Sequence, residues 1–390
     1  MTGQLKMALF LGALSAIPPL SIDGYISAFP LIGRDFNAAD AEVQLSLTAM
    51  LLGLACGQFF IGPLSDIYGR KKPLIFSLTA FILASIGCAL TNDIIHFIAL
   101  RFVQGLAGSG GVVISRAIAY DNYKGHVLTQ FVALLMVITN VAPIMAPVIG
   151  GQIIALFSWH AIFLFLALCG LLLSIYTLTT RESLPVELRQ QSNFSNIFSG
   201  FAALFKNPPY LACLAVHCLV MGGLFSYISA SPFILQLLYG LTPVQFSLMF
   251  AFNGFGMIIA AKTSAHFVMR FDERTQLKAT VLIYTACAAV LAAASVFNML
   301  PLWLIMLAFF MLTACISICE CNSFSLAMQQ IASGAGSAAG FLGIVAFLFG
   351  SVMPPLMSLG SNVSVLPLAA ITFATGIIAL AAFRWIPISD

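Results

Sequence analysis

Residues 44–92 read QLSLTAMLLGLACGQFFIGPLSDIYGRKKPLIFSLTAFILASIGCALTN. Two apolar runs, 44–65 and 73–92, contain no charged residue and flank a polar turn that holds Asp66, Arg70, Lys71 and Lys72. Each run has about the 20 residues a helix needs to cross a hydrocarbon core about 30 Å thick. Lipid offers no partner for backbone N–H and C=O groups, so runs of this length predict helices that satisfy their own backbone. The stretch predicts a hairpin of two membrane helices.

The same pattern continues in both directions. Apolar runs of spanning length fall at 7–32, 44–65, 73–92, 95–119, 127–155 and 160–180, and again at 208–238, 243–268, 277–298, 301–326, 334–359 and 363–386. The first run is too long for a signal peptide and no small-residue cleavage site follows it, so it is read as a first membrane helix. Composition agrees: 61% of the chain is hydrophobic and 7% charged, against about 25% charged in soluble domains. Sixteen Lys and Arg against thirteen Asp and Glu are spread without a basic stripe, which excludes a nucleic-acid partner. The expected fold class is an all-α polytopic membrane protein with twelve transmembrane helices.

The longest polar stretch, Arg181 to Lys206, divides the runs into two sets of six. The expected organisation is an N-terminal six-helix bundle over 1–185, a linker over 186–207 and a C-terminal six-helix bundle over 208–390. Internal repetition supports the division, because Gly62 to Lys72 is echoed at Ala261 to Arg274, with Arg70 and Arg270 in equivalent places. The helix ends and loops on one side carry Lys6, Arg70, Lys71, Lys72, Lys124, Arg181, Arg189, Lys206, Arg270, Arg274, Lys278 and Arg384, and those on the other carry Arg34. By the positive-inside rule both termini and the linker are expected to be cytoplasmic.

So few ionisable residues lie inside the apolar runs that each is a functional candidate. Asp23, in LSIDGYISAFP with Tyr25, is either a proton carrier or a cap at the outer end of the first helix. Arg101 and Gln104 lie in RFVQGLAGSGG. A buried arginine needs a counter-charge or a dense set of acceptors, and Asp23 is the expected partner; the alternative is an arginine that reaches the outer surface. The turn from Gly62 through Asp66, Gly69 and Arg70 is expected to pair with Arg116 and Asp121 as a cytoplasmic gate, or else to serve only to orient the chain. In the fifth run, Ala142, Ala146 and Gly150 recur every four residues and give a flat seam, while Pro143 and Pro147 kink the helix and Gly151 follows. Glu320 is either a second proton or cation site or an acid reaching the headgroups. Asn140, Asn253 and Asn322 offer further polar contacts, and His217 and His266 are read as structural. The cysteines, including Cys315, Cys319 and Cys321 around Glu320, are read as buried hydrophobes, and no metal site is expected.

These motifs resemble those of the major facilitator superfamily along essentially the whole chain. GPLSDIYGRKKPL (62–74) is similar to that family's signature loop between helices two and three. RFVQG (101–105) resembles its fourth-helix motif assigned to proton coupling, and APIMAPVIGG (142–151) resembles the antiporter motif, with Ala142 and Ala146 in place of usual glycines. With LSIDGYISAFP and RAIAYD (116–121), the set resembles the bicyclomycin/chloramphenicol-resistance branch of drug:proton antiporters. Some related exporters carry a second acid where this chain has Ser15. The resemblance implies a major facilitator fold and a monomeric transporter in a bacterial inner membrane. It further implies export of small amphipathic compounds against protons by alternating access, with no cofactor beyond the proton gradient. Proton-coupled uptake or export of an endogenous metabolite is the alternative. An integral-membrane enzyme is disfavoured, since no nucleophile elbow or phosphate loop is present.

Overall fold

A computed structural model describes residues 2–189, 201, 204–268, 270–296, 300–331, 335–357 and 364–387. Among the described residues there are twelve helices long and apolar enough to cross a membrane, and no strand. The first six are α1 (Thr2–Asp23, resumed as Phe29–Asp35), α2 (Asp40–Tyr68), α3 (Lys71–Leu90), α4 (Ile94–Asn122), α5 (Gly125–Leu156) and α6 (Trp159–Thr179). The others are α7 (Pro208–Pro232), α8 (Pro243–Phe267), α9 (Glu273–Val296), α10 (Leu302–Gln329), α11 (Ala335–Met357) and α12 (Leu366–Phe383).

Several helices begin where polar side chains satisfy free backbone N–H groups. Glu42 accepts the Ala39 N–H at 2.8 Å to start α2, and Asp93 accepts the His96 N–H at 2.9 Å to start α4. Thr242 and Gln245 exchange the reciprocal bonds of a capping box at α8. The first helix differs from the continuous run expected at 7–32. It stops at Asp23 and turns through a 3-10 segment at Ile26–Ala28 before resuming. Pro30 has no N–H to offer the Ile26 carbonyl four residues back, and the Phe29 N–H takes that carbonyl instead.

The chain divides into two compact units, Met1–Phe194 and Ser195–Asp390. Most of the linker expected at 186–207, including Gln190 to Asn193, lies outside the described residues. In the first unit α4 packs along α2, α3 and α1, α3 along α6, and α1 along α5. In the second, α10 packs along α8, α9 and α7, α9 along α12, and α7 along α11. Each of these five pairings of the first unit is repeated six helices later, which gives the sequence echo a structural counterpart.

Two backbone approaches inside the first unit depend on glycine. A side chain on Gly105 would strike the carbonyl of Met50, so α4 and α2 meet there at backbone distance. A side chain on Gly150 would strike the carbonyl of Gly24. Ala142 and Ala146 are buried on the same face of α5, so the four-residue steps do form the seam against α1. Small residues let helices gain close dispersion contact where lipid supplies no hydrophobic drive. Gly150→Leu should therefore lower stability by about 1–3 kcal/mol or more through overpacking. By contrast, Gly340→Ala, in open space on α11, should be neutral or stabilise by up to about 1 kcal/mol. Melting temperatures in detergent distinguish the two.

Candidate functional site

Arg101 has no exposed surface. One guanidinium nitrogen donates to the Gln104 side-chain carbonyl and another to the Ser21 backbone carbonyl at 2.9 Å. The plane lies over the Tyr25 ring, with Cζ 4.0 Å from its centroid, and the Phe163 ring is 5.6 Å away. Gln104 passes the connection on, donating to Ser85 Oγ at 2.7 Å, and Ser85 donates to the Phe81 carbonyl. The Tyr25 hydroxyl meets Ser46 Oγ at 3.1 Å. One cation thus joins α4 to α1 directly, to α3 through Gln104, to α2 through Tyr25, and to α6 through the Phe163 ring.

The expected pairing of Arg101 with Asp23 is not formed. Among the described residues the Asp23 carboxylate has neither an ion pair nor a hydrogen bond, although the residue is only 7% exposed. Arg101 instead takes a dense set of neutral acceptors and a ring face, and its Nε has no partner. Asp23 stands two residues beyond Ser21, whose carbonyl holds the guanidinium. The fold thus brings Arg101 to the turn that carries Asp23, but the two side chains make no ion pair or hydrogen bond.

The remaining candidates are scattered. Asn140 is in α5, with its side chain outside the described residues. Pro143 is half-buried, while Pro147, Gly150 and Gly151 are buried. Ser15, where related exporters carry an acid, meets Ser115 Oγ at 2.6 Å. Glu320 is half-buried, and its carboxylate makes no ion pair among the described residues. His217 is buried against Ser323 Oγ at 2.9 Å, and His266 is exposed.

At the basic end of the first unit, Arg70 pairs with Asp66 at 2.5 Å and Asp121 at 2.9 Å and donates to Ser65 Oγ at 2.8 Å. This is the expected network without Arg116, which is exposed and makes no ion pair among the described residues. Arg116 is five residues before Asp121, more than a helical turn, so the two point to different faces of α4. Sequence reading missed Glu182. Its carboxylate accepts the backbone N–H groups of Arg70 at 2.8 Å, Lys71 at 3.1 Å, Ser183 at 3.0 Å and Leu184 at 3.2 Å. Gly69, at φ 86° and ψ 169°, turns the chain into this cradle from a region nearly closed to other residues. A side chain there would also strike Glu182.

Sequence reading also missed a repeated motif. GYISAFP (24–30) in the first unit recurs as SYISASP (226–232) in the second. The tyrosine of each copy bonds to the second helix of its unit: Tyr25 to Ser46, and Tyr227 to Asn253 Nδ2 at 2.8 Å.

Burial alone would push the Glu182 carboxyl up. The N–H groups of Arg70, Leu184 and Lys71, with the Arg189 charge, outweigh it and hold the group below its ordinary range. A depressed carboxyl stabilises the fold above the unfolded value of about 4.3 and loses that contribution as pH falls through the lower folded value. Glu182→Gln should cost about 1 kcal/mol at neutral pH, allowing for partial exposure. The deficit should shrink towards zero in melting curves taken below about pH 4; a constant deficit would show that charge is not involved.

Residues 9–355 match the Major Facilitator Superfamily. An uncharacterized MFS-type transporter, YdgK of Bacillus subtilis, is 37% identical over 383 residues, covering 97% of this chain and 95% of the relative. A bicyclomycin resistance protein homolog of Haemophilus influenzae is 29% identical over 351 residues, covering 90% and 88%. The crystal structure of a D-xylose-proton symporter has the same fold at a TM-score of 0.78 and 15% identity, covering 98% of this chain and 97% of that one. Twelve apolar helices in two matching sets of six, with a buried arginine at the heart of the first, thus have their explanation: the chain is a multi-pass membrane protein and belongs to the Major Facilitator Superfamily.

Proposed function

We propose that this transporter exports small amphipathic compounds, drugs among them, in exchange for protons, with Asp23 as the proton carrier and Arg101 as its electrostatic partner. The observation that carries the reading is a buried carboxylate two residues from the Ser21 carbonyl that holds a buried guanidinium, with no ion pair between the two charges. Taking up a proton removes the charge of Asp23. Releasing it creates an anion for which Arg101, with Nε unpartnered, is a ready counter-charge. A proton then decides whether the two groups attract, and Arg101 transmits the result to α1, α3 and α4 through its bonds to Ser21 and Gln104. Such a difference between protonation states is what a proton gradient needs to shift a conformational equilibrium.

The resemblance to the bicyclomycin-resistance homolog supports drugs as cargo. The one-sided distribution of Lys and Arg supports cytoplasmic termini in a bacterial inner membrane. On this orientation the Arg70–Asp66–Asp121 network, tied to Glu182, is a cytoplasmic latch of the first unit. The protein works as a monomer and needs no cofactor beyond the proton gradient.

Asp23→Asn should abolish proton-driven transport in proteoliposomes while the protein inserts and melts like the parent. Undiminished proton-driven transport by that variant would reject the carrier role. The direction of substrate movement under an imposed pH gradient separates export from proton-coupled uptake: cargo should move opposite to the protons.

A further inference from the structure

The two copies of the repeated motif have diverged in one respect. Two residues before the tyrosine, the first copy has Asp23 and the second has Phe225. Against the tyrosine ring, α4 of the first unit places Arg101, whereas α10 of the second places Phe309, 5.1 Å away and edge-on. Phe250 of α8 stacks on Tyr227 at 5.4 Å. No Asp, Glu, Lys or Arg occurs between Lys206 and Lys262, which includes all of α7 and most of α8, and the one histidine there, His217, is held by Ser323 ten residues before Tyr227. Where the first unit has a proton-responsive pair, the second has an uncharged aromatic set.

That set contains polar atoms with no partner. The carbonyl oxygen of Asn253, 2% exposed, has no hydrogen bond, and neither has the hydroxyl of the fully buried Ser231. Ser231 lies four residues after Tyr227, on the same face of α7. An amide or hydroxyl buried without a partner is costly, so an apolar side chain would serve packing better. Directly after Pro232, α7 continues as a π-helical turn, Phe233–Leu238, a form frequent at functional sites.

We infer that Tyr227, Ser231 and Asn253, with the Phe250 and Phe309 rings, form a recognition subsite in the second unit for uncharged aromatic compounds that carry hydrogen-bond donors. The rings supply stacking surface, the Asn253 carbonyl and the Ser231 hydroxyl accept from the ligand, and the absence of charge disfavours ions. In this structure all five side chains are buried, so the proposal requires a ligand to reach them in another conformation of the transporter. The inference rests on the chain being a drug exporter, since it names the chemistry of the cargo.

Equilibrium binding of chloramphenicol, a neutral aromatic with hydroxyl and amide donors, to purified protein without a pH gradient tests it. Asn253→Leu and Ser231→Ala should each weaken binding about tenfold, with the melting temperature of the ligand-free protein unchanged or raised. Unchanged affinity in both variants, no binding by the parent protein, or affinity lost only together with a fall in melting temperature would each overturn the subsite. If the two variants lose affinity while a pH gradient drives no transport by the parent, the subsite stands and the proton-antiport reading fails.

Discussion

A guanidinium with no access to water organises the first unit. The cost of burying the Arg101 charge is offset only because several helices converge on it at once. α1 offers the Ser21 carbonyl and the Tyr25 ring, α4 itself offers Gln104, α3 steadies that amide through Ser85, and α6 brings Phe163. Removing one of these leaves a buried charge under-coordinated, a far larger penalty than the loss of one ordinary hydrogen bond. The close approaches at Gly105 and Gly150 make the convergence possible by bringing α2 to α4 and α5 to α1. The break in α1 has the same logic. By stopping at Asp23 the helix places Tyr25 under the guanidinium and leaves the carboxylate without an ion pair among the described residues.

A second principle is local satisfaction at the basic end. Arg70 is the hub there, held by two carboxylates and a serine, while Glu182 gathers four backbone N–H groups from two segments far apart in sequence. The loop is tight because Gly69 can adopt a conformation that other residues rarely do. Charges at this end do structural service, whereas the charges near Asp23 are left incompletely matched. Incomplete matching is what a carrier requires, since a fully satisfied carboxylate has no reason to exchange its proton with conformation.

Much of this was legible in the sequence. Helix number and approximate bounds follow from apolar length, because the bilayer sets that length; the seam at Ala142, Ala146 and Gly150 follows from four-residue spacing. What sequence does not give is which acceptor a charge selects. Arg101 was expected to seek Asp23, but a backbone carbonyl and a ring face were available at better geometry. Arg116 was grouped with Asp121 by proximity along the chain, although helix phase separates them. Glu182 was read only as part of the polar stretch from Arg181 to Lys206, since nothing in a stretch of mixed polar residues marks one carboxylate as bound to a distant loop. The repeat of Tyr-Ile-Ser-Ala was visible in principle, and comparing the two halves residue by residue would have found both it and the exchange of Asp23 for Phe225.

The proton is the most direct object to measure. Substrate added to purified protein in weakly buffered solution near neutral pH should release about one proton for each molecule bound, seen with a pH-sensitive dye, and the Asp23→Asn variant should release none. Binding by the unaltered protein with no proton released at any pH where Asp23 can titrate would contradict the assignment of this carboxylate as the carrier.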